Sequence, residues 1–140
     1  MAPRSWKADM ALPIQIDKQN GVPVYVQLTE RIRLLIREGV LQTGDPMPTV
    51  RSLAVDLGIN ANTVARVYHE LGTNDLLRAE RGRGTFVADG ASEPMPEQDF
   101  MILEREVLDL VRSAKEAGMT PNELCQFVET RWKKESNKES

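Results

Sequence analysis

Hydrophobic positions between residues 22 and 71 recur at helical spacing in three consecutive blocks, with turn-forming residues between them. In residues 22–38, Tyr25, Leu28, Ile32, Leu35 and Ile36 fall on one stripe, the period of a half-buried helix. Pro23 suits the first turn of that helix and Gly39 follows its end. Arg31, Arg33 and Arg37 lie off the stripe and read as a solvated face. Residues 42–48 form a polar turn with Gly44, Pro46 and Pro48; a residue before proline is biased away from helix, so this loop is a boundary. Two short amphipathic segments follow in residues 49–71. Leu53, Ala54 and Leu57 share a face in the first, and Val64, Val67, Tyr68 and Leu71 in the second. Thr49 and Asn60 are placed to cap them, and Gly58 between them suits the left-handed turn. Two helices joined in this way form a helix-turn-helix, whose second helix can enter the DNA major groove.

At residues 76–87 the period changes. LLRAERGRGTFV is two short alternating runs around an Arg-Gly-Arg-Gly tip, the pattern of a β-hairpin. Residues 89–98 have the composition of a linker. Residues 99–117 are helical again, with Phe100, Leu103, Val107, Leu110, Val111 and Ala114 on one stripe, and Gly118 stops them. Thr120, Pro121 and Glu123 then make a capping box with proline at the first helical position. A second helix carries Leu124, Phe127, Val128 and Trp132 on one side.

The expected fold is mainly α with a small β-wing: a winged helix-turn-helix domain followed by a short C-terminal helical hairpin. Residues 1–12, which include Trp6, form an arm without periodicity. Residues 13–90 form the winged domain, residues 91–98 the linker and residues 99–140 the tail. A two-helix unit of this size rarely buries enough surface to stand alone. We expect it to pair with its counterpart in a second subunit through Leu103, Val107, Leu110, Val111, Leu124, Phe127, Val128 and Trp132. Folding back onto its own winged domain is the alternative.

Three motifs, PVYVQLTERIRLLIREGVLQTGD, MPTVRSLAVDLGINANTVARVYHEL and RGRGTFV, run in this order over residues 22–88. On them the chain resembles the GntR family of bacterial transcription regulators, and its short remainder resembles the YtrA-type branch. The resemblance implies operator contacts from Arg51, from Asn60, Asn62 and Thr63 at the start of the recognition helix, and from the wing tip at Arg81 and Gly82. It also implies a dimerising tail. The chain departs from the family pattern at Ala65, where many members carry arginine, and at Asp75, where many carry the glycine that ends the recognition helix. Residue chemistry agrees with the implied contacts: Asn pairs with adenine edges, Thr with bases or phosphate, and Arg with guanine or phosphate. Thr49, Arg66 and Arg83 complete the expected DNA-binding set.

Charge qualifies this picture. The 140 residues carry a formal net charge of −3, which by itself argues against a nucleic-acid partner. Its distribution matters more: residues 1–90 hold 11 Lys+Arg against 10 Asp+Glu, and residues 91–140 hold 7 against 11. The acidity therefore belongs to the tail. A single cysteine, Cys125, excludes an internal disulfide and fits a reducing cytoplasm. There is no span-length apolar run and no signal-peptide core, so no membrane association is expected. Catalysis has little to stand on. His69 lies within the recognition helix and reads as solvent- or phosphate-facing. Cys125 reads as a small buried or interfacial residue, no Cys/His set has metal spacing, and the wing tip lacks the lysine and Ser/Thr of a P-loop. No cofactor or metal is expected. The expected function is a cytoplasmic, homodimeric repressor reading a palindromic operator in double-stranded DNA, with a small-molecule effector left open. The alternative is a winged helix used as a protein-interaction module.

Overall fold

The computed structural model describes residues 11–89 and 95–138. Trp6, most of the expected arm and the first half of the expected linker lie outside the described residues. The chain divides into two compact units, Met1–Met95 and Pro96–Ser140.

The first unit is built on three helices, α1 (Val24–Arg37), α2 (Val50–Leu57) and α3 (Ala61–Thr73). Pro23 caps α1 rather than opening its first turn, and Leu28, Ile32, Leu35 and Ile36 form its buried stripe. Tyr25 packs at the margin of the core. Thr49 Oγ1 accepts the Ser52 N–H at the start of α2, and Asn60 Oδ1 accepts the Asn62 N–H at the start of α3. Each bond satisfies one of the amides a helix start leaves without a partner. Gly58 ends α2 at φ 65°, in the left-handed region. α3 runs to Thr73, and the chain leaves it through Asp75 at φ 62°, the one non-glycine residue with positive φ among the described residues. This position, where the family pattern carries glycine, is left-handed in this chain, with aspartate bearing the cost.

Strands β1 (Leu77–Glu80) and β2 (Gly84–Val87) pair antiparallel, with Leu77 opposite Val87 and Glu80 opposite Gly84. Arg81, Gly82 and Arg83 make the tip. The loop before α2 does more than turn. Met47 donates to the Thr85 carbonyl, Gly44 to that of Val87, and Val87 back to Asp45. This loop lines the outer edge of β2 and joins the wing to the helices.

Leu28, Ile32, Leu35, Leu41, Leu53, Val64, Val67, Leu71 and Val87 are almost wholly buried in one core. Leu12 and Ile14 join it. Leu12, the last residue of the expected arm, is thus buried in the core, and the Ile14 amide donates back to its carbonyl at 2.8 Å. No polar or charged side chain is buried among the described residues.

The second unit consists of α4 (Glu97–Glu116) and α5 (Pro121–Lys138). α4 begins inside the expected linker, with acidic Glu97 and Asp99 in its first turn, where the helix dipole favours them. Gly118 at φ 79° closes it. The capping box forms as read: Thr120 Oγ1 accepts from the Glu123 amide, and Glu123 Oε1 accepts from the Thr120 amide. Those bonds lower the Glu123 pKa. Ala114 is the one buried apolar side chain of the unit among the described residues.

Candidate nucleic-acid interface

α3 turns Val64, Val67, Tyr68 and Leu71 into the core. Its opposite side is an exposed row of Asn62, Arg66, His69 and Thr73, three or four residues apart, with Ala61 and Ala65 beside it. Thr63 is half-buried. Asn60 is exposed, but its side-chain oxygen is occupied as the helix cap, and its amide NH2 has no hydrogen-bond partner among the described residues.

The flanks of this row differ. On one side Arg66 lies over the Tyr25 ring of α1, 4.1 Å from its centroid, with Nε 3.9 Å from Glu70. On the other a shallow groove separates α3 from the wing, with His69 and Thr73 on one wall and Ala79 and Thr85 on the other. Arg51 is exposed in the first turn of α2. At the wing, Arg81, Gly82 and Arg83 are all exposed, with Gly82 at φ 77°. Arg83 is 3.5 Å from Glu80.

Two contacts hold the helix pair in position. The Tyr68 hydroxyl donates to the Pro48 carbonyl at 2.7 Å, tying α3 to the loop before α2, and burial raises its pKa. Lys18 Nζ donates to the Gly58 carbonyl at 2.5 Å, clasping the turn between α2 and α3 from the N-terminal segment. Gln27 in turn exchanges two hydrogen bonds with the Asp17 backbone, which fixes the base of that segment.

His69 and Thr73 extend the row beyond the expected DNA-binding set. Helical spacing from Asn62 marks both, at seven and eleven residues on. Lys18 had no such signal, because its partner is 40 residues away in the chain.

In the tail, Leu103, Val107, Leu110, Phe127, Val128 and Trp132 are exposed, whereas Val111 and Leu124 are half-buried. Leu110, Phe127, Val128 and Trp132 line one open apolar groove. Leu103 and Val107 lie further along α4. The Arg131 guanidinium covers the Phe127 ring, 4.9 Å from its centroid. Cys125 is exposed rather than buried.

A helix exposed along its polar side, propped by a second helix and flanked by a two-stranded hairpin, defines a winged helix-turn-helix of the kind found in transcription regulators. The chain belongs to the family of bacterial regulatory proteins named gntR, whose model matches residues 24–87. The HTH-type transcriptional repressor YtrA of Bacillus subtilis is 30% identical over 115 residues, covering 82% of this chain and 88% of that protein. Similarity therefore continues past the winged helix. Among solved structures, YtrA from Sulfolobus acidocaldarius, a GntR-family transcription factor, matches with a TM-score of 0.50 at 29% identity over 68% of this chain and 97% of that one. The DBD of AraR in complex with operator ORX1 matches with a TM-score of 0.50 at 28% identity over 54% and 96%. The chain is a GntR-type transcription regulator with a DNA-binding domain. No described helix is long and apolar enough to cross a membrane.

Proposed function

We propose that two copies of this chain bind a palindromic operator and repress transcription from it. Each copy would insert the start of α3 into a major groove and set its wing on the flanking backbone. The observation that carries the reading is the exposed row on α3, in the same unit as exposed arginines in the first turn of α2 and at the wing tip. Asn62, His69 and the free amide of Asn60 would read base edges. Arg51, Arg81 and the Thr49 hydroxyl would hold phosphates or bases, and Thr63, Arg66, Gly82 and Arg83 lie within reach of the same duplex. The AraR domain bound to an operator and the repressor YtrA support this reading by similarity.

The exposed tail supports the second copy. α4 and α5 leave Leu103, Val107, Leu110, Phe127, Val128 and Trp132 more than two-fifths exposed, Trp132 at 74%. Apolar exposure of this extent on two long helices marks an interaction surface. A counterpart tail supplies the same stripe in a self-complementary, two-fold arrangement.

Selection of bound sequences from random duplex DNA tests the proposal. Inverted half-sites separated by about one helical turn, or a multiple of it, are expected. Enrichment of a single asymmetric site, or of none, overturns it. A winged helix serving only protein partners would show no steep loss of duplex binding as salt rises.

A further inference from the structure

The wing contains an ion cluster that ties up Arg83, one of the residues placed within reach of the duplex. Glu80, the last residue of β1, faces two arginines: Oε1 meets Arg78 Nη1, and Oε2 lies 3.5 Å from Arg83 Nη1. The tip is folded to bring them together. The Arg83 amide donates to the Glu80 carbonyl at 2.9 Å, and Gly82 and Gly84 take φ of 77° and 120°, a backbone that suits glycine. Arg78 is held further by the ring of Phe86, its partner in the strand register, 5.1 Å from the centroid. Arg81 has no ion pair among the described residues and is exposed. Two arginines on one tip are thus in different electrostatic states.

We propose that Glu80 is a built-in competitor for DNA phosphate, holding Arg83 back so that the wing engages a duplex chiefly through Arg81. Carboxylate and phosphodiester present the same chemistry to a guanidinium, an anionic oxygen pair that accepts its forked donors. Glu80 is adjacent and partly covered, with 31% of its side chain exposed, whereas Arg83 is 76% exposed. The carboxylate stays at the base of the tip and the arginine end folds back to it. Phosphate contacts strengthen binding to every sequence alike. Withholding one lowers affinity for operator and non-operator DNA by the same factor, without touching the residues that read bases. Glu80 is then a positioning residue that acts through Arg83. The proposal rests on the wing approaching DNA, as in the operator-binding reading.

The test uses the full chain and a mixed-sequence DNA duplex, because the contact is to phosphate. Glu80→Gln is expected to bind more tightly than wild type. Its plot of log affinity against log salt should steepen by about 0.9, the increment for one added phosphate, so that its advantage shrinks roughly 3.5-fold between about 50 and 200 mM salt. The gain should vanish in the Glu80→Gln/Arg83→Gln double variant. In the wild-type background Arg83→Gln should cost less than Arg81→Gln, a comparison that leaves Glu80 in place if its replacement disturbs the wing. Weaker binding by a folded Glu80→Gln, an unchanged salt slope, or equal losses for the two arginines overturns the proposal. So does a gain that survives without Arg83, which would mean simple repulsion between Glu80 and DNA. A wild-type chain that binds no duplex overturns the operator-binding reading itself.

Discussion

Arg51, Arg81 and Arg31 separate docking from general charge. Arg51 and Arg81 are exposed beside α3 and at the wing tip, whereas Arg31 is half-buried on α1 and reaches toward the Pro13 carbonyl. In operator titrations Arg51→Ala and Arg81→Ala should each weaken binding by about 1–3 kcal/mol, and Arg31→Ala by far less. Three equal losses would point to bulk charge. Asp75 makes a second case. At φ 62° it occupies a region that costs an L-residue roughly 1–2 kcal/mol, less for Asp than for a β-branched side chain. Asp75→Val should therefore lower the urea midpoint by an amount corresponding to about 1–2 kcal/mol, with Asp75→Gly neutral or slightly stabilising. A fully tolerated valine would show that the backbone here is not held left-handed.

Among the elements, α3 is exposed on one side because its other side is fastened. Tyr68 supplies both an apolar ring and a hydroxyl whose bond to Pro48 sets the angle between α3 and the approach to α2. Tyr68→Phe should cost about 0.5–1.5 kcal/mol. The pH dependence has a definite sign. Burial raises the Tyr68 pKa in the folded state, so this contribution is complete below the unfolded-state value and is lost as pH rises through the higher folded value. Unfolding midpoints followed from about pH 8 to 11, across the ordinary tyrosine range, should fall for the wild type and fall less for Tyr68→Phe. Parallel curves would mean that another group governs alkaline stability. The helices were legible from sequence because apolar spacing, Thr49, Asn60 and Gly58 are local signals. The pairing of the 42–48 loop along β2 was not, since Pro46 and Pro48 mark only a turn and its partners lie some 40 residues on. The bond from Lys18 to the Gly58 carbonyl has no local signal for the same reason.

For the molecule as a whole, the winged unit buries a continuous core while the tail leaves its apolar stripe in the open. Leu110→Asp places a charge in the groove formed with Phe127, Val128 and Trp132. Sedimentation velocity should then show monomers, against the dimer proposed for the wild type. Operator affinity should drop with it, because each half-site is then bound alone rather than by linked modules. A dimer that survives this change, with operator binding intact, would place the interface elsewhere.

Local chemistry settled the order of the elements, the capping residues, the wing and the acidic balance of the tail, because each depends on residues within one or two helical turns. Tertiary packing decided what those residues are free to do. Arg66 lies on Tyr25, Arg83 on Glu80 and the Asn60 oxygen on its own helix, whereas His69 and Thr73 join the outward row. Spacing along a chain predicts which face a side chain occupies. The partner that engages its charge comes from another element, or from the far side of a turn, and only the folded arrangement brings it there.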